Sequence, residues 1–385
     1  MATTDKGSGP VILFTHEGIA YEYLDSLGVG PHGEALMRAR QRTHDSALEE
    51  VIVKHLALPP GKLPAQTLRI RARLEEEAQL AGYLRHRALV RVLLKHETAD
   101  GLYTVRELVR GPTLDELVTL ALEREENFSE AFILHVGAEL ASALAHVHTR
   151  EDEHGKPLGI VHRNITLSSI VFTWRGGVKL ADFSLAYSNL SGRRTSTKRE
   201  PRGPLFFTAP ETLFDGEAEA RSDLFALGLV LLELATGRHL YDPPHKNPRD
   251  VEETLSARER RRVQGAVQAA TEAGYDASTR QALWGAAAFT REEVARAADG
   301  LSAPLKALLD RLLRRAPEER FQTAAELEEA LRARLAVVGP YDGAAAIAEL
   351  RKAVADAGEA LVAYEVTPGL LSPTPEHVSR DASTR

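Results

Sequence analysis

Two periods of apolar spacing divide the chain. Up to about residue 56 the apolar positions alternate or fall in short runs, which predicts strands. Residues 11–14 form one such run. Residues 21–27 alternate and lead into Gly28-Val29-Gly30-Pro31-His32-Gly33-Glu34-Ala35, after which alternation resumes to Arg40. Val51-Ile52-Val53-Lys54 reads as a further strand. A helical period follows over 64–84, where Leu74, Glu77, Ala78, Ala81 and Leu84 share one face. Residues 102–108 return to strand. Beyond them the chain is mainly helical. Residues 132–148 carry Ile133, Val136, Leu140, Leu144 and Val147 on one stripe, and 224–235 form an apolar run broken by Gly228 and Glu233, the pattern of a buried core helix. Residues 242–303 are Ala- and Arg-rich and read as extra helices offering a docking surface. Residues 343–363 give an amphipathic helix through Ala346, Leu350, Val354 and Ala357. The ends, 1–10 and 368–385, are polar or Pro- and Ser-containing and predict disorder. Strands first and helices after them predict an α+β class.

Composition narrows the function classes. The 385 residues are 43% hydrophobic and 27% charged, ordinary for a globular chain long enough to bury a large core. A net charge of −7 gives no basis for nucleic acid as the main partner. The absence of Cys excludes disulfides, thiolate metal sites and Cys nucleophiles, and suits a reducing cytoplasm. The first ten residues lack a signal pattern, and the 224–235 run is too short to span a membrane, so a cytoplasmic chain without a membrane span is expected.

The candidate chemistry lies in a few short stretches. A glycine triplet, Gly28, Gly30 and Gly33, suits a backbone that closes over phosphates. A dinucleotide-binding reading would need a helix next, and a strand follows instead. Glu77 on the apolar face of its helix needs a cation, and Lys54 is the natural partner, with Glu75 and Glu76 as neighbouring alternatives. His135, His146 and His148 cluster in sequence, but no carboxylate or Cys joins them at ligand spacing, which argues against a metal site. The densest stretch is 159–187, with His162-Arg163-Asn164, Ser169 and Asp182-Phe183-Ser184.

These stretches resemble, in order and at plausible separations, the motifs of the protein kinase family: the glycine loop, the V-A-I-K strand, H-R-D-x-x-x-x-N and D-F-G. Ala209-Pro210-Glu211 matches A-P-E, Asp223 with Gly228 matches the following helix motif, and Arg320 matches the partner of the A-P-E Glu. The Arg- and Ala-rich, Lys-poor composition goes with a high-GC bacterial genome, so the resemblance is placed among bacterial Ser/Thr kinases. It covers residues 21–334 and implies a bilobal fold: an N-terminal extension at 1–20, a small antiparallel-sheet lobe at 21–109, a helical lobe at 110–334, and a C-terminal helix and tail at 335–385.

The resemblance also implies roles. ATP would lie under Gly28, Gly30 and Gly33, with Lys54 and Glu77 at its phosphates and the hinge Glu107-Leu108-Val109 at its adenine. Asp182 would ligate Mg²⁺, with Ser169 as a weak second ligand. His162, Arg163, Glu211, Asp223 and Arg320 would brace the loops. Thr195, Ser196 and Thr197 are candidate phosphosites whose phosphate Arg163 would dock. Arg106 takes the gatekeeper position, either turned inward to meet Glu77 or twisted outward. Ile52 replaces a small residue over the adenine while Ala35 replaces a larger one, a pair of changes that offset in volume.

The departures fall in one network. Asn164 stands where the catalytic Asp is expected and cannot take a proton. Thr166 replaces a Lys, Ser169 an Asn and Ser184 a Gly, and Pro204 offers no compensating group. The expectation is a pseudokinase that binds ATP and acts through protein partners. An active but atypical Ser/Thr or Tyr kinase and a nucleotide-free scaffold stay open as alternatives.

Overall fold

In the computed structural model, which describes residues 10–358 apart from 31–32, 45, 59–60, 62, 191–204, 217, 242–251, 254 and 273–276, the two periods of the sequence separate into two lobes. The smaller is a six-stranded antiparallel sheet in the order β1-β2-β3-β4-β6-β5. Its strands are β1 (Ile12–His16), β2 (Ile19–Val29), β3 (Ala35–Arg42), β4 (Ala47–Ala57), β5 (Val92–Glu97) and β6 (Gly101–Glu107), with helix α1 (Ala65–Ala81) against them. Residues 51–54 of β4 are all buried because both faces of the sheet are covered.

The N-terminal extension does not stand apart from this lobe. β1 pairs with β2, and Phe14 stacks on Tyr21 with ring centroids 4.4 Å apart, over a cluster that includes Val51, Val53 and Val105. A boundary at residue 21 cuts β2, and without β1 an apolar sheet face would lie bare. The α1 stripe is also turned from its expected position. Its buried set is Ile70, Leu74, Glu76, Glu77 and Leu80, Ala78 is only half-buried, and Leu84 lies beyond the helix end. The cause is that α1 packs on two surfaces at once, the sheet and the segment at 183–185.

The larger lobe begins with α2 (Leu114–Arg124), α3 (Glu130–His148) and the hairpin β7 (Ile170–Phe172) and β8 (Val178–Leu180). It continues through α4 (Pro210–Asp215), α5 (Ala220–Thr236), α6 (Ala257–Glu272), α7 (Ala277–Ala288), α8 (Arg291–Ala297), α9 (Ala303–Leu312), α10 (Ala324–Val338) and α11 (Gly343–Asp356). By length and composition α3 could cross a membrane, yet 72% of its apolar window is buried inside the lobe, where it packs on α5 and α10. Every residue from 222 to 235 of α5 is buried. A helix apolar all round is the centre of a helical lobe.

The C-terminal helix also belongs to this core. Ala346, Leu350, Ala353 and Val354 of α11 join the main hydrophobic cluster, and the expected boundary at 334 lies within α10. Glu349 accepts bonds from Ser129 N and Oγ, both at 2.7 Å, and so ties α11 to the start of α3. The expectations for the chain ends beyond 10 and 358, for Thr195, Ser196 and Thr197, and for Pro204 lie outside the described residues.

Candidate functional site

The cleft between the lobes brings Lys54 of β4, Glu77 of α1 and Asp182 together. Lys54 Nζ lies 3.0 Å from Glu77 Oε2 and 3.5 Å from Asp182 Oδ1, and the Lys54 and Glu77 side chains are only 4% and 5% exposed. Burial disfavours the Lys54 charge, but the charges of Glu77, Asp182 and Glu34 outweigh burial and the opposing Arg106, and the Lys54 pKa is raised. Glu75 is taken by Arg71 at 2.9 Å, which leaves Glu77 as the partner.

Asp223, at the first turn of α5, holds the loop at 162–164. Its carboxylate accepts the amides of His162 at 2.8 Å and Arg163 at 2.9 Å, and His148 Nε2 lies 2.8 Å away. Burial works against the charged form of Asp223, but His148, His162 and the Arg163 amide prevail and its pKa is lowered. His162 Nδ1 accepts the Asn164 amide at 3.2 Å, so its other ring nitrogen carries the proton and donates to the Ala181 carbonyl at 3.1 Å. Burial lowers the His162 pKa and keeps this ring neutral. These bonds fix a backbone that costs energy to hold, since Arg163 and Asp182 have φ of 61° and 65°. Arg163 Nε also donates to the Leu185 carbonyl at 3.0 Å.

Asn164 points at Asp182. Its Nδ2 donates to Asp182 Oδ2 at 2.9 Å, and Lys54 faces the other oxygen, so both carboxylate oxygens are engaged by the protein's own donors. Ser169, expected as a second metal ligand, is not aimed at Asp182. Its Oγ accepts the Thr166 amide at 2.9 Å and donates to the Thr166 carbonyl at 3.0 Å, while Thr166 Oγ1 accepts the Ser169 amide at 3.1 Å. The two hydroxyls close a capping box on the turn 167–169 and stabilise the loop instead of facing the cleft. The three histidines of the α3 region are likewise engaged separately. His148 is on Asp223, His135 Nε2 is 2.7 Å from the Gly176 carbonyl, and His146 faces the His86 ring. Among the described residues no group of three His, Cys, Asp or Glu is placed to hold a metal.

The roof of the cleft is the turn between β2 and β3. Gly28 and Gly33 take φ of 98° and 93°, and the Gly30 amide donates to the Glu34 carbonyl at 2.7 Å. Leu36 is the cross-strand partner of Lys54, so Leu36, and not Ala35, faces the cleft. The expected compensation of Ile52 by a small Ala35 therefore fails. Leu36 and Ile52 are 1% and 4% exposed and pack with Leu27 and Leu108. Glu34, two positions before Leu36 and just outside β3, is 0% exposed. At the hinge, Glu107 is bound by Lys179 at 2.6 Å and by the Arg91 amide at 2.9 Å, and Val109 is buried. Arg106 turns inward, not out. It lines, with Glu77, Asp182 and Phe183, a cavity of about 10 Å³, room for no more than one water.

Further from the cleft, Arg320 binds Glu211 bidentately at 2.7 and 2.8 Å and also donates to the carbonyls of Arg314, Arg221 and Arg315. All five of its N–H groups are thereby used, with the guanidinium 4.6 Å over the Phe225 ring.

A family model described as protein kinase domain matches residues 21–332. The chain belongs to the protein kinase family. Among curated kinases, it is 29% identical over 318 residues to the serine/threonine-protein kinase PknB of Mycobacterium tuberculosis, covering 81% of this chain and 42% of that one. It is 34% identical over 172 residues to the serine/threonine-protein kinase PrkC of Bacillus subtilis, covering 44% and 24%. It is 29% identical over 238 residues to the CTD kinase subunit alpha of Schizosaccharomyces pombe, covering 61% and 36%. The matched stretch thus spans less than half the length of each of these relatives.

Kinases of this family use ATP and Mg²⁺, and the residues present do not fit that pair. One carboxylate, with both oxygens engaged, is left for the metal. A second carboxylate, Glu34, lies beneath the glycine turn. Glu34 and Leu36 are buried beside Lys54 without any motif in the sequence marking them.

Proposed function

We propose that this kinase-family chain is a pseudokinase, impaired in phosphate transfer, that signals through protein partners. The bond from Asn164 to Asp182 carries this reading. A kinase needs at this position a carboxylate that accepts the hydroxyl proton of its acceptor. Asn164 offers a donor, and spends it on the carboxylate that would hold the metal. The inward-facing Thr166–Ser169 box supports the same reading, because it stabilises the loop as a scaffold. Helices α6 to α8 fit a docking role for a protein partner. One observation favours the alternative of an active, atypical Ser/Thr or Tyr kinase: the assembled Lys54–Glu77 pair. That pair positions phosphates but supplies neither a base nor a second metal ligand. The test is intact-mass spectrometry of the purified chain after incubation with ATP and Mg²⁺, beside Lys54→Ala. The expected result is the same unmodified mass for both. Phosphate incorporated by the wild type and absent from Lys54→Ala would overturn the reading.

A further inference from the structure

The family's ligand and this cleft disagree at one residue. The Glu34 side chain is fully buried, although it lies next to a glycine turn at the lobe surface. It is folded under that turn: a Cβ placed on Gly30 would come within 2.5 Å of the Glu34 carboxyl carbon and Oε1. The Glu34 carboxyl thus packs directly against Gly30, in the space a side chain at position 30 would take. Leu36 pairs with Lys54, and Glu34 lies two residues before it, just outside β3 and beside the glycine turn, where a nucleotide's phosphates would lie. A buried carboxylate needs a cation near it, and the buried Lys54 is close enough to feel the Glu34 charge. The Glu34 charge is among those that raise the Lys54 pKa, beside Glu77 and Asp182. Leu36 and Ile52 close the neighbouring adenine slot with Leu27 and Leu108.

We propose that Glu34 is a built-in anion that stands in the place of nucleotide phosphate, so that the cleft is assembled by its own carboxylate and admits ATP only when Glu34 is displaced. The proposal rests on reading the cleft as one impaired in transfer. Equilibrium binding tests it apart from that reading, since transfer can be absent whether or not ATP binds. Phosphate is the group that Glu34 opposes, so its removal should favour phosphate-bearing ligands and leave the nucleoside alone.

The experiment titrates the full chain with a fluorescent ATP analogue and, by competition, with ATP and adenosine. Wild type is compared with Glu34→Gln, which keeps the shape, and Glu34→Ala. Each is also made with Ile52→Ala, which opens the adenine slot. Circular dichroism verifies the fold of each variant. The expected result is at least a tenfold gain in ATP affinity on replacing Glu34 in the Ile52→Ala background, with adenosine affinity unchanged. In the absence of nucleotide, Glu34→Gln should also make Lys54 more reactive toward an amine-acylating reagent, because one of its facing anions is gone. Equal ATP affinity with and without Glu34, including no binding by any variant, would overturn the proposal. An equal gain for adenosine would overturn it too, since that would show a steric plug and not a phosphate mimic.

Discussion

At the scale of single residues, the direction of one hydrogen bond carries the proposed loss of transfer. Asn164 donates to Asp182 at 2.9 Å, where a carboxylate could only repel it. Asn164→Asp should therefore destabilise the fold by about 1–3 kcal/mol, the worth of a hydrogen bond to a charged group, read as a lower urea midpoint at pH 7. A midpoint unchanged or raised would show that the bond carries nothing. Arg320 makes a second case, because its five N–H groups serve Glu211 and three carbonyls. Arg320→Lys keeps the charge but loses the fork and leaves buried carbonyls without donors, and should cost about 1–3 kcal/mol, the cost of unsatisfied buried groups, by the same measurement. Lys54, Glu77, Asp223, Glu211 and Arg320 were legible in the sequence because each sits in a motif of fixed spacing. Glu34 was not, because its motif position is variable and one sequence does not state its direction. The bonds from Ser169 to Thr166 were not legible for a related reason: a hydroxyl here can face the cleft or its own loop, and the turn at 167–169 decides.

Among elements, the two ends of the chain changed most between sequence and structure. The run at 11–14 was legible as apolar, but its pairing with β2 and its Phe14 stack were not, since an edge strand carries no mark of its partner. The apolar positions of α11 were likewise read correctly, while its burial was not, because amphipathic spacing says that a face is covered and not by what. The contact that seats α11 is close. The β7–β8 turn meets its first residue through two glycines, and a Cβ on Gly176 would lie 2.0 Å from the Gly343 carbonyl oxygen. Gly176 also holds φ of 79°, so Gly176→Ala meets both strain and overlap. The variant should lose about 1–3 kcal/mol, as overpacked sites do, and hydrogen exchange across 343–356 should accelerate. Unchanged exchange there would show that α11 does not depend on this seat.

For the whole molecule, the two lobes and their order were legible from the switch between strand and helix periods near residue 60 and from motifs spread over the chain. What was not legible was the way buried groups share charge across the lobes. Burial of titratable groups also gives the fold a pH dependence. His55, His86, His146 and His162 all have pKa values lowered from 6.5, with burial the first cause of each. A histidine held neutral in the fold takes up a proton on unfolding once the pH falls below 6.5, so each removes stability as the solution is acidified from there. Asp223 acts lower down: its pKa lies below 3.8, so its contribution is complete above that value and is lost as the pH falls through the lowered one. The melting temperature should therefore fall from pH 7 to pH 5 and fall again below about pH 4. A melting temperature level from pH 7 to 5 would contradict the neutral, buried histidines. Loss of transfer is read from the rate at which γ-phosphate passes from radiolabelled ATP to a generic protein acceptor. The expected wild-type rate is no higher than that of Lys54→Ala. A Lys54-dependent rate of about 1 s⁻¹ or more, the range of working kinases, would contradict it.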